Sequence, residues 1–87
     1  MTETINDVQR RLADGLATID PHHRLLGRPV TYRVIDGQTL EITYRDVVGI
    51  ADAELLGVKR LIGQDCSCTV SPQTSERLTV RFVVSLT

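Results

Sequence analysis

Apolar residues along this chain follow two rhythms, and the order in which the rhythms alternate predicts the fold. Ile5, Val8, Leu12, Leu16 and Ile19 recur at spacings of three and four. That spacing lines them up as one narrow stripe on a helix over residues 4–19. Thr4 with Asp7 three residues later resembles a capping box, and Asp7 also suits the positive end of the helix dipole. Asp20-Pro21 ends the helix, because a residue before proline is pushed out of the α region. Residues 20–29 are then a connection bounded by two prolines, with Leu25 and Leu26 as its anchors to the core.

The rhythm changes to two after Pro29. Val30, Tyr32 and Val34 alternate with Thr31 and Arg33, and Leu40, Ile42 and Tyr44 alternate with Glu41 and Thr43. This is the pattern of half-buried strands, and Asp36-Gly37 between them is a hairpin turn signal. A plain two-residue loop would set Val34 opposite Thr39 and mix the faces. Shifting by one sets Val34 opposite Leu40, Tyr32 opposite Ile42 and Val30 opposite Tyr44, with Arg33 by Glu41 and Thr31 by Thr43. One face is then apolar and the other carries favourable polar pairs, so this register is expected, with a three-residue loop or a bulge at the turn.

Residues 46–63 return to helical spacing, with Val47, Ile50, Ala51, Leu55, Val58, Leu61 and Ile62 on one face. Gly49 and Gly57 argue against one long helix. The expectation is a turn at 46–51, Asp52 as N-cap, and a helix from about 53 to 62 ending at Gly63. A second hairpin closes the chain. Cys66, Cys68 and Val70 alternate with Ser67 and Thr69, and Leu78, Val80, Phe82, Val84 and Leu86 alternate with Thr79, Arg81 and Ser85. With residues 71–76 as the turn, Val70 faces Leu78, Cys68 faces Val80 and Cys66 faces Phe82.

The predicted order is α-β-β-α-β-β in a single α+β domain spanning residues 1–87. Two helices cover one face of a four-stranded antiparallel sheet in a two-layer sandwich. The alternative is an N-terminal helix followed by a small five-stranded barrel, with residues 55–62 as a strand, but that segment alternates poorly.

Composition narrows the function classes. The 87 residues are 41% hydrophobic and 24% charged, which suits a soluble globular domain rather than a disordered chain. No apolar run reaches membrane-spanning length and no secretory signal is visible, so a cytoplasmic protein with free thiols is expected. Net charge is -1 with the signs interspersed, and aromatics make up 3%. Neither a basic stripe nor a stacking platform is visible, so nucleic acid and membrane are not expected partners.

Candidate chemistry is sparse. Cys66 and Cys68 share one side of a strand and, with His22 or His23, form the one set that would hold a soft metal. Against that, a C-x-C in a flat strand chelates poorly, and both cysteines fall on the face paired with Val80 and Phe82, where free cysteines pack in the core like small hydrophobes. His22-His23 would serve as a base or pH switch, against the plainer reading of a solvated loop tip. Glu54 is a candidate general acid or base if buried, and an ordinary first-turn acid if Asp52 caps the helix. Tyr32 and Tyr44 lie on the apolar side of the first hairpin, with hydroxyls expected at the sheet rim. The chain contains no phosphate loop, nucleophile elbow or zinc-protease motif.

No catalytic residue, cofactor or enzymatic reaction is assigned from these patterns. The expected function is a small non-catalytic protein-binding or self-associating module, with a homo-oligomer or protein partner engaged through the open sheet face or the C-terminal strand. Ile35 and Val83 fall on the otherwise polar face, and Arg77 and Arg81 would rim the contact. The alternative is a small-molecule or metal binder using Cys66 and Cys68 with His22 and His23.

Overall fold

A computed structural model describes residues 5–19, 22–62 and 66–85. The order of elements is α1 (Ile5–Ile19), β1 (Val30–Ile35), β2 (Thr39–Val47), α2 (Asp52–Ile62), β3 (Cys66–Pro72) and β4 (Leu78–Ser85). The strands form one antiparallel sheet in the order β1-β2-β4-β3, and the α+β expectation holds; the barrel does not form. Thr4, Asp20-Pro21, Gly63 and Leu86, to which the sequence assigns caps, stops and an inward position, lie outside the described residues.

The strand order reads the same from either edge when the halves α1-β1-β2 and α2-β3-β4 are exchanged. The repeat is topological, since the two halves show no visible sequence repeat. It extends to the helix contact. A Cβ on Gly15 would overlap the Leu61 side chain, and a Cβ on Gly57 would meet Ile19 at 3.5 Å. Each helix therefore offers a glycine notch to a branched side chain of the other, and the helices run antiparallel. Glycine costs about 1 kcal/mol in a helix interior; here it permits close approach. Ile19, assigned to the core stripe by spacing, is instead 46% exposed and lies over Gly57.

The core lies between helices and sheet. Val8, Leu12 and Leu16 of α1, and Val58 and Ile62 of α2, cover Leu40, Ile42, Tyr44, Val80, Phe82 and Val84. The first hairpin has the register that face-matching selects, including Val34 with Leu40 and Val30 with Tyr44. Ile35 pairs with Thr39, which leaves the three-residue loop that this register requires. Asp36 and Gly37 take positive φ there, and the Asp36 carboxylate accepts from the Gln38 N–H.

The second hairpin departs from expectation by two residues. Cys68 faces Phe82, Cys66 faces Val84 and Val70 faces Val80, because Ser71 and Pro72 continue the strand and pair with Thr79 and Leu78. A two-residue slip keeps every side chain on its own face, so alternation alone cannot distinguish the two registers.

β2 also runs farther than expected. It gains an extra residue between Tyr44 and Val47, with Asp46 at φ 58°. The bulge turns Val47 inward, where it is fully buried. The Gln73 side chain holds the bulge: its amide donates to the Asp46 carboxylate at 2.8 Å, and its oxygen accepts from the Asp46 N–H at 3.0 Å.

Candidate functional site

The buried-carboxylate and histidine candidates meet at the start of α2. The helix begins at Asp52, so Ala51 is the N-cap and not Asp52. Its carbonyl accepts from the Glu54 and Leu55 N–H groups. Glu54 is then the third helical residue, and its carboxylate reaches back to the Ala51 N–H at 3.0 Å. This is half of a capping box; alanine at the cap cannot supply the other half. The second carboxylate oxygen accepts from the Arg24 N–H at 2.8 Å, which ties the α1–β1 connection to α2.

His23 completes this tie and is not the solvated loop tip expected of it. It is 3% exposed. Nδ1 accepts from the Leu25 N–H at 3.2 Å, so the proton sits on Nε2, which donates to the Glu54 carbonyl at 3.3 Å. Nδ1 is 3.9 Å from the Glu54 carboxylate. Both ring nitrogens are thus committed to the backbone. The shallow groove beside Glu54 is lined by Arg24, Val48, Gly49, Ile50 and Ala51 and does not include His23. The pair is built as a structural latch, with no substrate-accessible face on the imidazole. His22, next to it, is exposed.

Cys66 and Cys68 lie on the inner side of β3, and β3 is an edge strand. They are therefore half-buried against the core rather than sealed within it. Burial pushes both thiols up, and Lys59 partly offsets this. Among the described residues no three His, Cys, Asp or Glu side chains gather as a metal site, and the two histidines do not join the thiols in one.

Beside Cys68 runs a groove of about 300 Å³ lined by Asp52, Leu55, Leu56 and Lys59 of α2. Leu56 is 52% exposed, and Val70, on the same side of β3 as the thiols, is 40% exposed. The helical layer therefore stops short of the sheet edge. Spacing gave Leu56 no role and placed Val70 on the apolar face; the exposure of both comes from β3 being outermost.

The residues assigned to a contact surface separate. Ile35, Arg81 and Val83 share the open face of the sheet, where the Glu41 carboxylate lies 3.8 Å from Arg81. Arg77 belongs to the β3–β4 loop, and its carbonyl accepts from the Gln73 and Thr74 N–H groups. β4 is not at an edge: it is paired on both sides, by β2 and β3, so it has no free backbone to offer.

Burial, and then the neighbouring Tyr32 hydroxyl, keep Tyr44 protonated. Burial is the main cause holding both tyrosines above their ordinary range, Tyr44 farther than Tyr32. The folded state thus keeps protons that the unfolded chain releases on the alkaline side. Stability from this source is complete below the ordinary thiol value of 9.0 and is lost as pH rises past it and past the tyrosine value of 10.0. Thermal midpoints measured from neutral to strongly alkaline pH should stay level and then fall. Tyr44→Phe should flatten the later part of the fall; an unchanged profile would contradict the burial of that hydroxyl.

Comparison with family models, curated proteins and solved structures finds no match for this chain. No helix among the described residues is long and apolar enough to cross a membrane.

Proposed function

We propose that this protein is a non-catalytic self-associating module whose contact edge is β3 together with the exposed flank of α2. The observation that carries this reading is the character of β3. Among the described residues it is an edge of seven residues with no strand beyond it, Cys66–Pro72, and it carries no charged side chain. Its pairing with β4 runs unbroken, so no bulge twists it away from a neighbour. Edge strands are ordinarily guarded by charge, proline, bulges or cover. Pro72 stands only at the end of β3, whereas the other edge, β1, carries Arg33 at its middle.

The apolar side chains beside β3 support the same reading. Val70 and Leu56 extend the contact from backbone to side chains. One short ladder and one helix flank fall at the small end of protein interfaces, so the dimer is concentration-dependent. Light scattering over a concentration series should show the apparent mass rising towards two chains. Leu56→Glu places like charges on the contact without touching the core and should weaken the dimer by 10-fold or more, a cost of about 1.4 kcal/mol or above. A chain that stays monomeric at the highest concentration would sink the reading.

A further inference from the structure

We infer that Cys68 is a redox-modification site completed by a second copy of the chain: β3 pairs antiparallel with β3 of the copy about a dyad at Cys68, and a low-molecular-weight disulfide oxidises the two facing thiols to an intersubunit disulfide. The inference rests on the self-association proposed above and names its geometry.

The ladder phase supplies the first argument. The Gln73 N–H donates to the Arg77 carbonyl at 3.0 Å, one step beyond the Pro72–Leu78 pair. Hydrogen-bonded and non-bonded pairs alternate along an antiparallel ladder. Ser71, Thr69 and Ser67 therefore bond to β4, while Val70, Cys68 and Cys66 turn their N–H and C=O groups outward. Pro72 falls in the outward phase, where its missing N–H costs the sheet nothing. A copy related by a dyad through the sheet keeps its helices on the same side and pairs outward residues with outward residues. With the dyad at Cys68, Cys66 faces Val70 of the copy and every donor from Cys66 to Val70 finds an acceptor. With the dyad at Thr69, Cys66 faces Pro72 and one carbonyl at each end is left without a donor.

The helix flank supplies a second, independent argument. Asp52 and Lys59 mark the two ends of the groove over Cys68, with Leu55 and Leu56 between them. They stand two helical turns apart, about 10.5 Å. A dyad beside Leu55 and Leu56 reverses the copy's helix, so each Asp52 meets the copy's Lys59 and the leucines meet each other. Charges of opposite sign flanking an apolar centre make a self-complementary surface. Cys68 lines that same groove, so both arguments place the axis at one residue.

Facing residues in a bonded pair have Cα atoms about 5.5 Å apart, inside the range a disulfide spans. Their Cβ atoms stand farther apart than a relaxed disulfide allows, so the bond is strained and readily reduced. The chemistry balances as exchange. One Cys68 thiolate attacks glutathione disulfide and releases glutathione. The copy's Cys68 thiolate then attacks the mixed disulfide and releases the second glutathione. Two protein thiols are oxidised to one disulfide, and glutathione disulfide is reduced to two thiols.

The test treats the full chain with glutathione disulfide at concentrations where light scattering shows the dimer, followed by non-reducing electrophoresis and peptide mapping. The expected result is a covalent dimer linked Cys68 to Cys68, retained in Cys66→Ser, lost in Cys68→Ser and diminished in Leu56→Glu. Mapping of the unaltered chain keeps the test decisive should either serine variant fold poorly. A noncovalent dimer that does not cross-link, or that links through Cys66, overturns the placement of the dyad and leaves self-association standing. A monomer carrying only glutathione adducts or an internal Cys66–Cys68 bond overturns both.

Discussion

Phe82→Ala should destabilise the protein by about 3–5 kcal/mol, the usual cost of emptying a buried aromatic site. Phe82 is fully buried at the middle of β4, paired with Ile42 on one side and Cys68 on the other. Its ring meets Tyr44 edge to face, with centroids 6.4 Å apart. Such pairs contribute about 0.5–1.5 kcal/mol beyond the area they bury. A domain of this size has total stability on the order of 5–10 kcal/mol, so the variant should lose a large part of it and unfold at much lower denaturant. Val83→Ala, one residue along on the open face, should cost about 1 kcal/mol or less. Urea titrations of the two variants measure the difference. Equal midpoints would mean that the sheet is not one-sided and that the helical layer does not define the core.

His23→Leu should cost about 1–3 kcal/mol, although leucine is the more apolar residue. The substitution leaves the Leu25 N–H without its acceptor and removes the second donor to the Glu54 carbonyl, which keeps its place in the α2 ladder. Each unsatisfied buried group costs about 1–3 kcal/mol. The loss would fall on the latch joining the α1–β1 connection to α2, so hydrogen exchange at Leu25 and in the first turn of α2 should rise more than in β4. His23→Asn, which can offer an acceptor near the place of Nδ1, should recover about 1 kcal/mol. A His23→Leu protein as stable as the original would show that the imidazole is not the partner of these groups.

Those two residues mark the limits of what periodicity can reveal. Phe82 was legible because alternation along residues 78–86 places it with Val80 and Val84, and burial follows from that face. His23 was not legible, because a histidine in a proline-bounded loop has the same local signature whether it faces water or a helix end. Only the Glu54 carbonyl, 31 residues away in sequence, decides between them. Glu54 itself was half legible: its first-turn position follows from the helix start, but its second hydrogen bond belongs to Arg24, outside the helix.

The same distinction separates the two hairpins. A one-residue error in the first would have turned apolar side chains to the solvent face, so the pattern alone selects the register that forms. In the second, the error was two residues and cost the pattern nothing; the extension through Ser71 and Pro72 is set by the backbone bonds of the β3–β4 loop.

What the chain determined by itself is the type, order and inner face of each element, because side-chain direction repeats every 2 residues in a strand and every 3.6 in a helix. What only the tertiary structure decided is how the two hairpins join. β2 and β4 meet at the centre of the sheet, which leaves β3 outermost. That placement leaves Cys68, Val70 and Leu56 at the boundary of the helical layer rather than beneath it. The physical reason is that strand order depends on pairing between segments distant along the chain, and a residue's own neighbours in sequence carry no record of it.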